Sequence, residues 1–173
     1  MDRLTRVRYY AGQLLTAQDF QVEQDYVRAK RRIHNRLLLG AGVVSELGVT
    51  IDTASSDNAP VVSVEPGFAI APDGEELVVP QRLTCTLSAL ASSSVGFVTL
   101  RFVERPVEPV PAGGTTGESQ ASRIEEDVAL DFDGAIRNDG VPIARLARST
   151  AGWQIDPDFR PAMIECASAR RRA

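Results

Sequence analysis

The sequence is poor in the side chains that most often bind metals. Its 173 residues include one histidine, His34, and two cysteines, Cys85 and Cys166. A zinc site needs about four Cys, His or carboxylate ligands in a tight arrangement, so this supply and spacing predict no metal centre. Free cysteines usually pack as small hydrophobic residues, which is the interpretation we favour. The spacing leaves a disulfide between the two cysteines as an open alternative.

Long apolar segments are also missing. No window reaches the roughly 18 consecutive apolar residues of a membrane span, and the first ten letters, MDRLTRVRYY, lack the apolar region of a secretory signal. We therefore expect a cytoplasmic protein without direct membrane contact. The formal net charge of −4 argues against a nucleic-acid-binding domain, which is typically basic.

Sequence signatures of catalysis are absent as well. There is no G-x-S-x-G motif and no phosphate-binding G-x-x-x-x-G-K-[ST] motif. The GAG at 40–42 lacks the third glycine of a dinucleotide fingerprint and follows a helix instead of a strand. His34 stands in a basic helical segment, where it is typical of a packing or hydrogen-bonding residue. We predict that the protein is not an enzyme and uses no cofactor.

Carboxylates cluster between residues 125 and 133. A glycosidase could use two such groups, but DFDGAIRNDG lacks the spacing and final Glu of an EF-hand loop, so we interpret the run as a solvated strand face. Glu75 and Glu76, beside the Asp73-Gly74 turn, are interpreted as surface charge in the same way. The only tryptophan, Trp153, is predicted to close one end of a sandwich core.

What the sequence does contain is a long charged helical segment. Thr16 is a good N-cap, and Asp19 three residues later completes an approximate capping box. The helix is predicted from about Ala17 to Leu38, ending at Gly40 and Gly42. Acidic residues come first, which complements the helix dipole. Basic residues fill the second half, namely Arg28, Lys30, Arg31, Arg32 and Arg36.

Apolar residues occupy two sides of this helix. One stripe has the spacing of a packing seam and comprises Val22, Tyr26, Ala29, Ile33 and Leu37. A second set lies opposite and comprises Phe20, Val27 and Leu38. A helix with two apolar sides is often held between its own domain and a neighbour. The alternative is that Phe20 and Val27 are ordinary exposed apolar residues.

The rest of the sequence is typical of β-structure. Residues 3–10 alternate loosely and predict a short edge strand or an extended arm. After Val43, about eight to ten short strands with turn signals every ~8 to 12 residues predict an antiparallel β-sandwich. We divide the chain into an N-terminal arm (1–16), a long helix (17–40), a β-sandwich domain (41–165) and a basic C-terminal tail (166–173).

Three motifs carry a family resemblance through their order along the chain. They are YAGQLLTAQDFQVEQDY, GFAIAPDGEELVVP and VPIARLARSTAGWQIDPDFRPAMIECAS. Together they resemble the N-terminal region of TssK, the baseplate adaptor family of type VI secretion. The family's helix-opening pattern is matched here by Tyr10, Gly12, Leu14, Leu15, Thr16, Phe20 and Gln21. The segment AKRRIHNRLLLGAGVVSEL is more similar to the version in phage-tail-like contractile injection systems.

The resemblance implies assembly instead of catalysis. Family members have a β-sandwich shoulder domain, form trimers and dock on baseplate wedge proteins through their N-terminal face. It implies a homotrimer within a phage-tail-like particle, without nucleic acid. The expected partner interface comprises Tyr10, Gly12, Leu14, Leu15, Phe20, Val22, Tyr26, Arg28, Arg31, Arg32 and Ile33. We expect charge reversal at its three arginines to weaken docking and to leave the fold intact. The alternative is a carbohydrate- or receptor-binding module of a tail fibre, which an exposed Trp153 and an acidic pocket near Asp131 would favour.

Overall fold

The N-terminal part of the structure is an irregular arm followed by a helix. The computed structural model describes residues 3–52, 61–86, 93–111, 119–150 and 152–164. Helix α1 (Ala17–His34) begins where the sequence predicts and continues into a π-helical turn, Asn35–Leu39. The turn ends at Gly40, whose φ of 85° lies in the left-handed region that favours glycine. The π geometry of this last turn was not predicted.

Ten strands follow in the described residues, close to the predicted number. They are β1 (Gly42–Glu46), β2 (Val49–Asp52), β3 (Val61–Val64), β4 (Gly67–Ile70), β5 (Glu76–Val79), β6 (Leu83–Thr86), β7 (Val95–Pro111), β8 (Ser119–Asp133), β9 (Gly140–Ser149) and β10 (Gly152–Ile155). The predicted Asp73-Gly74 turn joins β4 to β5, and the predicted hairpin near Gly152 joins β9 to β10.

The strands pair into three antiparallel sheets. Their orders are β1–β4–β5, β2–β3–β6 and β10–β9–β7–β8. All three contribute to one hydrophobic core, in which Leu77, Leu100 and Leu146 are fully buried. The predicted antiparallel sandwich, preceded by an arm and one long helix, is confirmed. No residue of α1, which is described throughout, belongs to this core.

Strands β7 and β8 are much longer than their neighbours. They pair from Phe97 with Asp133 to Pro111 with Ser119, apart from a break at Glu108 and Ser122, whereas β9 covers β7 only from Val95 to Arg101. Beyond that point the two strands form a two-stranded extension, which we call the β7–β8 ribbon (102–111 with 119–128). The sequence predicted both strands, but it predicted a loop from residue 110 onward.

The described chain ends beside β1. Ile164 N donates to Val43 O at 2.7 Å, next to an isolated parallel bridge between Val43 and Met163. Cys85 is half-buried on β6, whereas Cys166 and the arginines of the basic tail lie outside the described residues. The predicted domain boundaries and the alternative of a disulfide therefore stay predictions.

Candidate protein-protein interface

A capping box determines where α1 begins. The backbone N–H of Thr16 donates to Asp19 Oδ2 at 2.8 Å, and the N–H of Asp19 donates to Thr16 Oγ1 at 3.4 Å. The bond from the Thr16 backbone is the main reason why the pKa of Asp19 lies below its ordinary value. The predicted cap is confirmed, and it fixes the point at which the arm (residues 3–15) leaves the helix.

The basic side of α1 packs on its own sandwich around one buried carboxylate. Arg32 Nε donates to Glu75 Oε1 at 2.5 Å, and this bond raises the pKa of Arg32. The guanidinium of Arg28 lies 3.4 Å from the same oxygen and 2.6 Å from Glu104 Oε1. Arg31 lies 3.8 Å from the other oxygen of Glu75. We call these five residues the Glu75 cluster.

The turn between β4 and β5 brings Glu75 under the helix. Asn35 Nδ2 donates to Gly74 O at 2.9 Å, and a Cβ on Gly74 would lie only 2.3 Å from Arg32 O. The interpretation of Glu75 as surface charge is therefore wrong, because the glycine turn packs directly on the helix backbone and leaves Glu75 1% exposed. Burial of such a carboxylate requires the positive partners that α1 supplies.

The three arginines of the expected partner interface, Arg28, Arg31 and Arg32, form ion pairs within the chain. The family resemblance placed them at the partner interface, whereas the structure places them against carboxylates of the same chain. Their side chains remain 27%, 37% and 40% exposed, so part of each guanidinium is accessible. Contact between these arginines and another protein stays a prediction. A charge reversal there is now expected to disturb the fold as well.

The two apolar sides of α1 differ in exposure. Along the predicted packing stripe, Val22, Tyr26, Ala29 and Ile33 are half-buried, whereas Leu37 is exposed. The opposite set stays open: Phe20 is 55%, Val27 58% and Leu38 76% exposed. Helix α1 therefore has no fully buried apolar face within the chain.

Exposed apolar side chains concentrate in the arm and helix. The arm turns at Gly12, where φ is +85° and Gln13 N donates to Tyr10 O at 3.2 Å. We define the arm–helix surface as the exposed large apolar residues of this region: Leu4, Tyr9, Tyr10, Leu14, Leu15, Phe20, Val27, Leu37, Leu38 and Leu39. Single exposed apolar residues are ordinary, but a concentration in one segment is typical of an interaction site.

The acidic run forms ion pairs along the third sheet. Arg101 Nε lies 2.9 Å from Asp131 Oδ2. Arg137 donates to Asp139 at 2.8 Å, which raises the pKa of the arginine and lowers the pKa of the aspartate. In the part of the chain that the structure describes, no group of three His, Cys, Asp or Glu side chains is arranged to hold a metal.

Two further predictions concern single aromatic or basic residues. Trp153 is 4% exposed and packs edge to face against Phe132, with ring centroids 5.2 Å apart, so its predicted place in the core is confirmed. His34 is exposed at the end of α1. Among the described residues, no helix combines the length and apolar character that a membrane crossing requires.

Comparisons with known proteins reveal similarity only at the level of structure. No protein-family model and no curated protein matches the sequence. A chain of the type VI secretion baseplate complex is 18% identical, with a TM-score of 0.57 over 92% of this chain and 60% of that one. A chain of the TssK–TssF–TssG baseplate subcomplex is 18% identical, with a TM-score of 0.57 over 92% of this chain and 62% of that one. The chain in the crystal structure of TssK is 14% identical, with a TM-score of 0.59 over 93% of this chain and 42% of that one.

These matches cover nearly all of this chain, which spans about 60% of the length of the first two chains. Their low sequence identity makes the likeness one of fold. They confirm, at that level, the resemblance that the order of the three sequence motifs indicated. The chain therefore has a TssK-like fold.

Proposed function

We propose that this chain is a structural baseplate adaptor of a contractile, phage-tail-like injection system. It docks on wedge subunits and self-associates as a homotrimer in the cytoplasm, without catalysis or a cofactor. The shared fold supports this proposal, since one structural neighbour is a chain of a TssK–TssF–TssG baseplate subcomplex.

The observation that carries the proposal is the arm–helix surface. Helix α1 is held by polar contacts to Glu75 and adds no side chain to the core. It presents Phe20 and Val27 outward, and the π-helical turn that follows presents Leu38. Stable assemblies commonly bury about 2,000 Å² or more of largely apolar surface. An arm and a helix of more than five turns can supply a large part of such an area.

The residues expected at the partner interface have distinct roles in this proposal. Tyr10, Leu14 and Phe20 supply exposed apolar anchors. The half-buried residues Val22, Tyr26 and Ile33, together with Leu15, extend the contact along the helix, and Gly12 forms the turn. The accessible parts of Arg28, Arg31 and Arg32 form a charged rim, where charge affects association rate and specificity more than affinity.

The receptor- or carbohydrate-binding alternative has no comparable support. Two features would favour it, an exposed Trp153 and an acidic pocket near Asp131. Trp153 is buried against Phe132. A pocket of about 360 Å³ does lie at Asp131, but Arg137 also lines it and lies 3.9 Å from that carboxylate.

The proposal is tested by replacing Phe20 and Leu38 with Ser. We expect the wild-type protein to form a trimer that persists at high salt, because an apolar interface is little affected by screening. We expect the double variant to lose this trimer and to co-purify at least tenfold less with co-expressed wedge subunits. Light scattering coupled to size exclusion at two salt concentrations measures the mass.

The matched control replaces Val78 and Ile136 with Ser. These residues are 53% and 52% exposed but lie outside the arm and helix. The control should keep both the trimer and wedge binding, and circular dichroism should show that both double variants are folded. If the Phe20 and Leu38 variant assembles like the wild type, the proposal is wrong.

A further inference from the structure

Within the described residues, both edges of the β7–β8 ribbon lack a neighbouring strand, and only one of them is protected against pairing with a further strand. Strand β8 is the last strand in its sheet, and β9 leaves β7 uncovered beyond Arg101. On β7 the uncovered part carries Pro106, Pro109 and Pro111, which lack the N–H that a further strand would need. The corresponding part of β8 contains no proline. Its edge can therefore accept another strand.

A groove runs along this open edge. It has a volume of about 830 Å³ and lies between β8 and the first half of α1. The strand side is formed by residues 121–124 and Glu126 of β8 and by Glu104 of β7. The consecutive residues 121–124 bring the groove to the β8 edge, while Glu104 and Glu126 pair across the ribbon and line one of its faces. At about 3.4 Å per residue this edge is roughly 20 Å long. A strand edge flanked by a helix is one geometry in which an extended segment adds to a sheet.

The charges of the groove favour a positively charged occupant. Glu23, Glu104 and Glu126 line it, and Glu126 lies 3.9 Å from Arg31. Within the described residues, Oε2 of Glu23 has no hydrogen-bond partner. The two arginines of the groove already face carboxylates: Arg28 lies 2.6 Å from Glu104, and Arg123 lies 3.9 Å from Glu108. Glu23 is half-buried, and a guanidinium brought by another segment would give its carboxylate a partner.

The first part of the arm has the complementary properties. Residues 3–10 form neither helix nor strand, although their loose alternation is strand-like. They carry Arg3, Arg6 and Arg8 and no acidic residue. Within the described residues, no backbone hydrogen bond joins 3–9 to another segment. Among the described residues, the arm is thus a basic segment with a strand-like pattern that belongs to no sheet, and the β8 edge has no neighbouring strand.

We propose that residues 3–10 of one copy add as a strand to the β8 edge of a second copy. This inference rests on the proposed self-association and specifies one of its contacts. The arm and the groove are different surfaces, so the contact is head-to-tail, which allows a closed ring such as a trimer. The main chain of the arm completes the open edge, and its arginines meet the groove carboxylates.

Directed cross-linking between copies tests this contact. In a background with Cys85→Ser and Cys166→Ser, full-length chains with Thr5→Cys are mixed with C-terminally tagged chains with Gln120→Cys on β8. A short bis-maleimide then links nearby thiols, and capture through the tag isolates linked pairs. The matched control carries Val110→Cys, because Val110 pairs with Gln120 across the ribbon and lies on the edge with the prolines. We expect at least fivefold more product with Gln120→Cys than with Val110→Cys.

A second pair of variants tests whether the contact is a strand pairing. Val7→Pro removes an N–H from the arm and should reduce the product to the level of the Val110→Cys control. Val7→Ala removes most of the side chain but keeps the N–H, so it should retain the product. Both substitutions lie in a segment without helix or strand, so the sandwich is expected to stay folded. Replacing Arg3, Arg6 and Arg8 with Glu should also abolish the excess of cross-linked product with Gln120→Cys over Val110→Cys.

The outcomes separate this inference from the proposed function. Equal products at both edges, or no effect of Val7→Pro, would overturn the arm–β8 contact. A link formed within single chains that carry both cysteines would overturn it too, because the arm would then occupy its own groove. A wild-type trimer that binds wedge subunits without this cross-link would leave the proposed function standing. A monomeric wild-type protein would overturn both self-association and the contact.

Discussion

At the residue scale, Glu75 links the helix to the sandwich. It is 1% exposed and accepts charge-assisted hydrogen bonds from Arg32 and Arg28. Glu75→Gln retains the shape of the side chain and removes the negative charge. We expect it to lower the free energy of unfolding by about 2 kcal/mol, because guanidinium groups around the cluster lose their counter-charge. Urea denaturation monitored by circular dichroism measures the change.

The matched control for Glu75 is Glu65→Gln. Glu65 pairs with Arg82, but both side chains are exposed. An exposed ion pair contributes at most about 1 kcal/mol, so this substitution should have a smaller effect. Equal losses in the two variants would mean that the Glu75 cluster is no stronger than a surface pair. The sequence could not distinguish these glutamates, because burial of Glu75 depends on a helix more than 40 residues away.

At the scale of elements, the turn at Gly74 sets how closely the helix approaches the sandwich. Its φ is +93°, and a Cβ there would lie 2.8 Å from Arg32 Cα. Gly74→Ala should therefore force the hairpin and helix apart. Gly152→Ala is the control, since Gly152 has φ +101° and open space around the added Cβ. We expect Gly74→Ala to cost at least 1 kcal/mol more in unfolding free energy than the ~1 kcal/mol of positive-φ strain. An equal loss of unfolding free energy in the two variants would show that the close contact between Gly74 and Arg32 does not set the distance between helix and sandwich.

The same elements show what sequence patterns can predict. The capping box of Thr16 and Asp19, the Asp73-Gly74 turn and the hairpin before Gly152 depend on neighbours in sequence, and each was predicted correctly. The length of the β7–β8 ribbon and the packing of Gly74 on Arg32 depend on tertiary contacts, and neither was predicted. Helical spacing pointed to Val22, Tyr26 and Ile33 of the candidate interface, and the family motif pointed to its arm residues; the intramolecular pairing of its arginines was not predicted.

At the scale of the whole molecule, the core and the helix are held by different forces. The core joins apolar residues of three sheets, whereas α1 adds none and is held through Arg32, Asn35 and their polar partners. Local stability follows the number of buried apolar contacts, so α1 should open more readily than the central strands. This arrangement suits the proposed adaptor function, because the segment that we propose to dock can adjust while the sandwich stays intact.

Hydrogen exchange followed by mass spectrometry tests this difference. In the free protein, amides of α1 should exchange at least tenfold faster than those of β7 and β9 between Val95 and Arg101. Glu75→Gln should accelerate exchange in α1 further and leave the central strands unchanged, whereas Glu65→Gln should affect neither. Binding of wedge subunits should slow amide exchange in α1, since the arm–helix surface would then be covered. If α1 and the central strands exchange at the same rate in every case, the helix unfolds only together with the core. The expectation that α1 opens on its own would then be wrong.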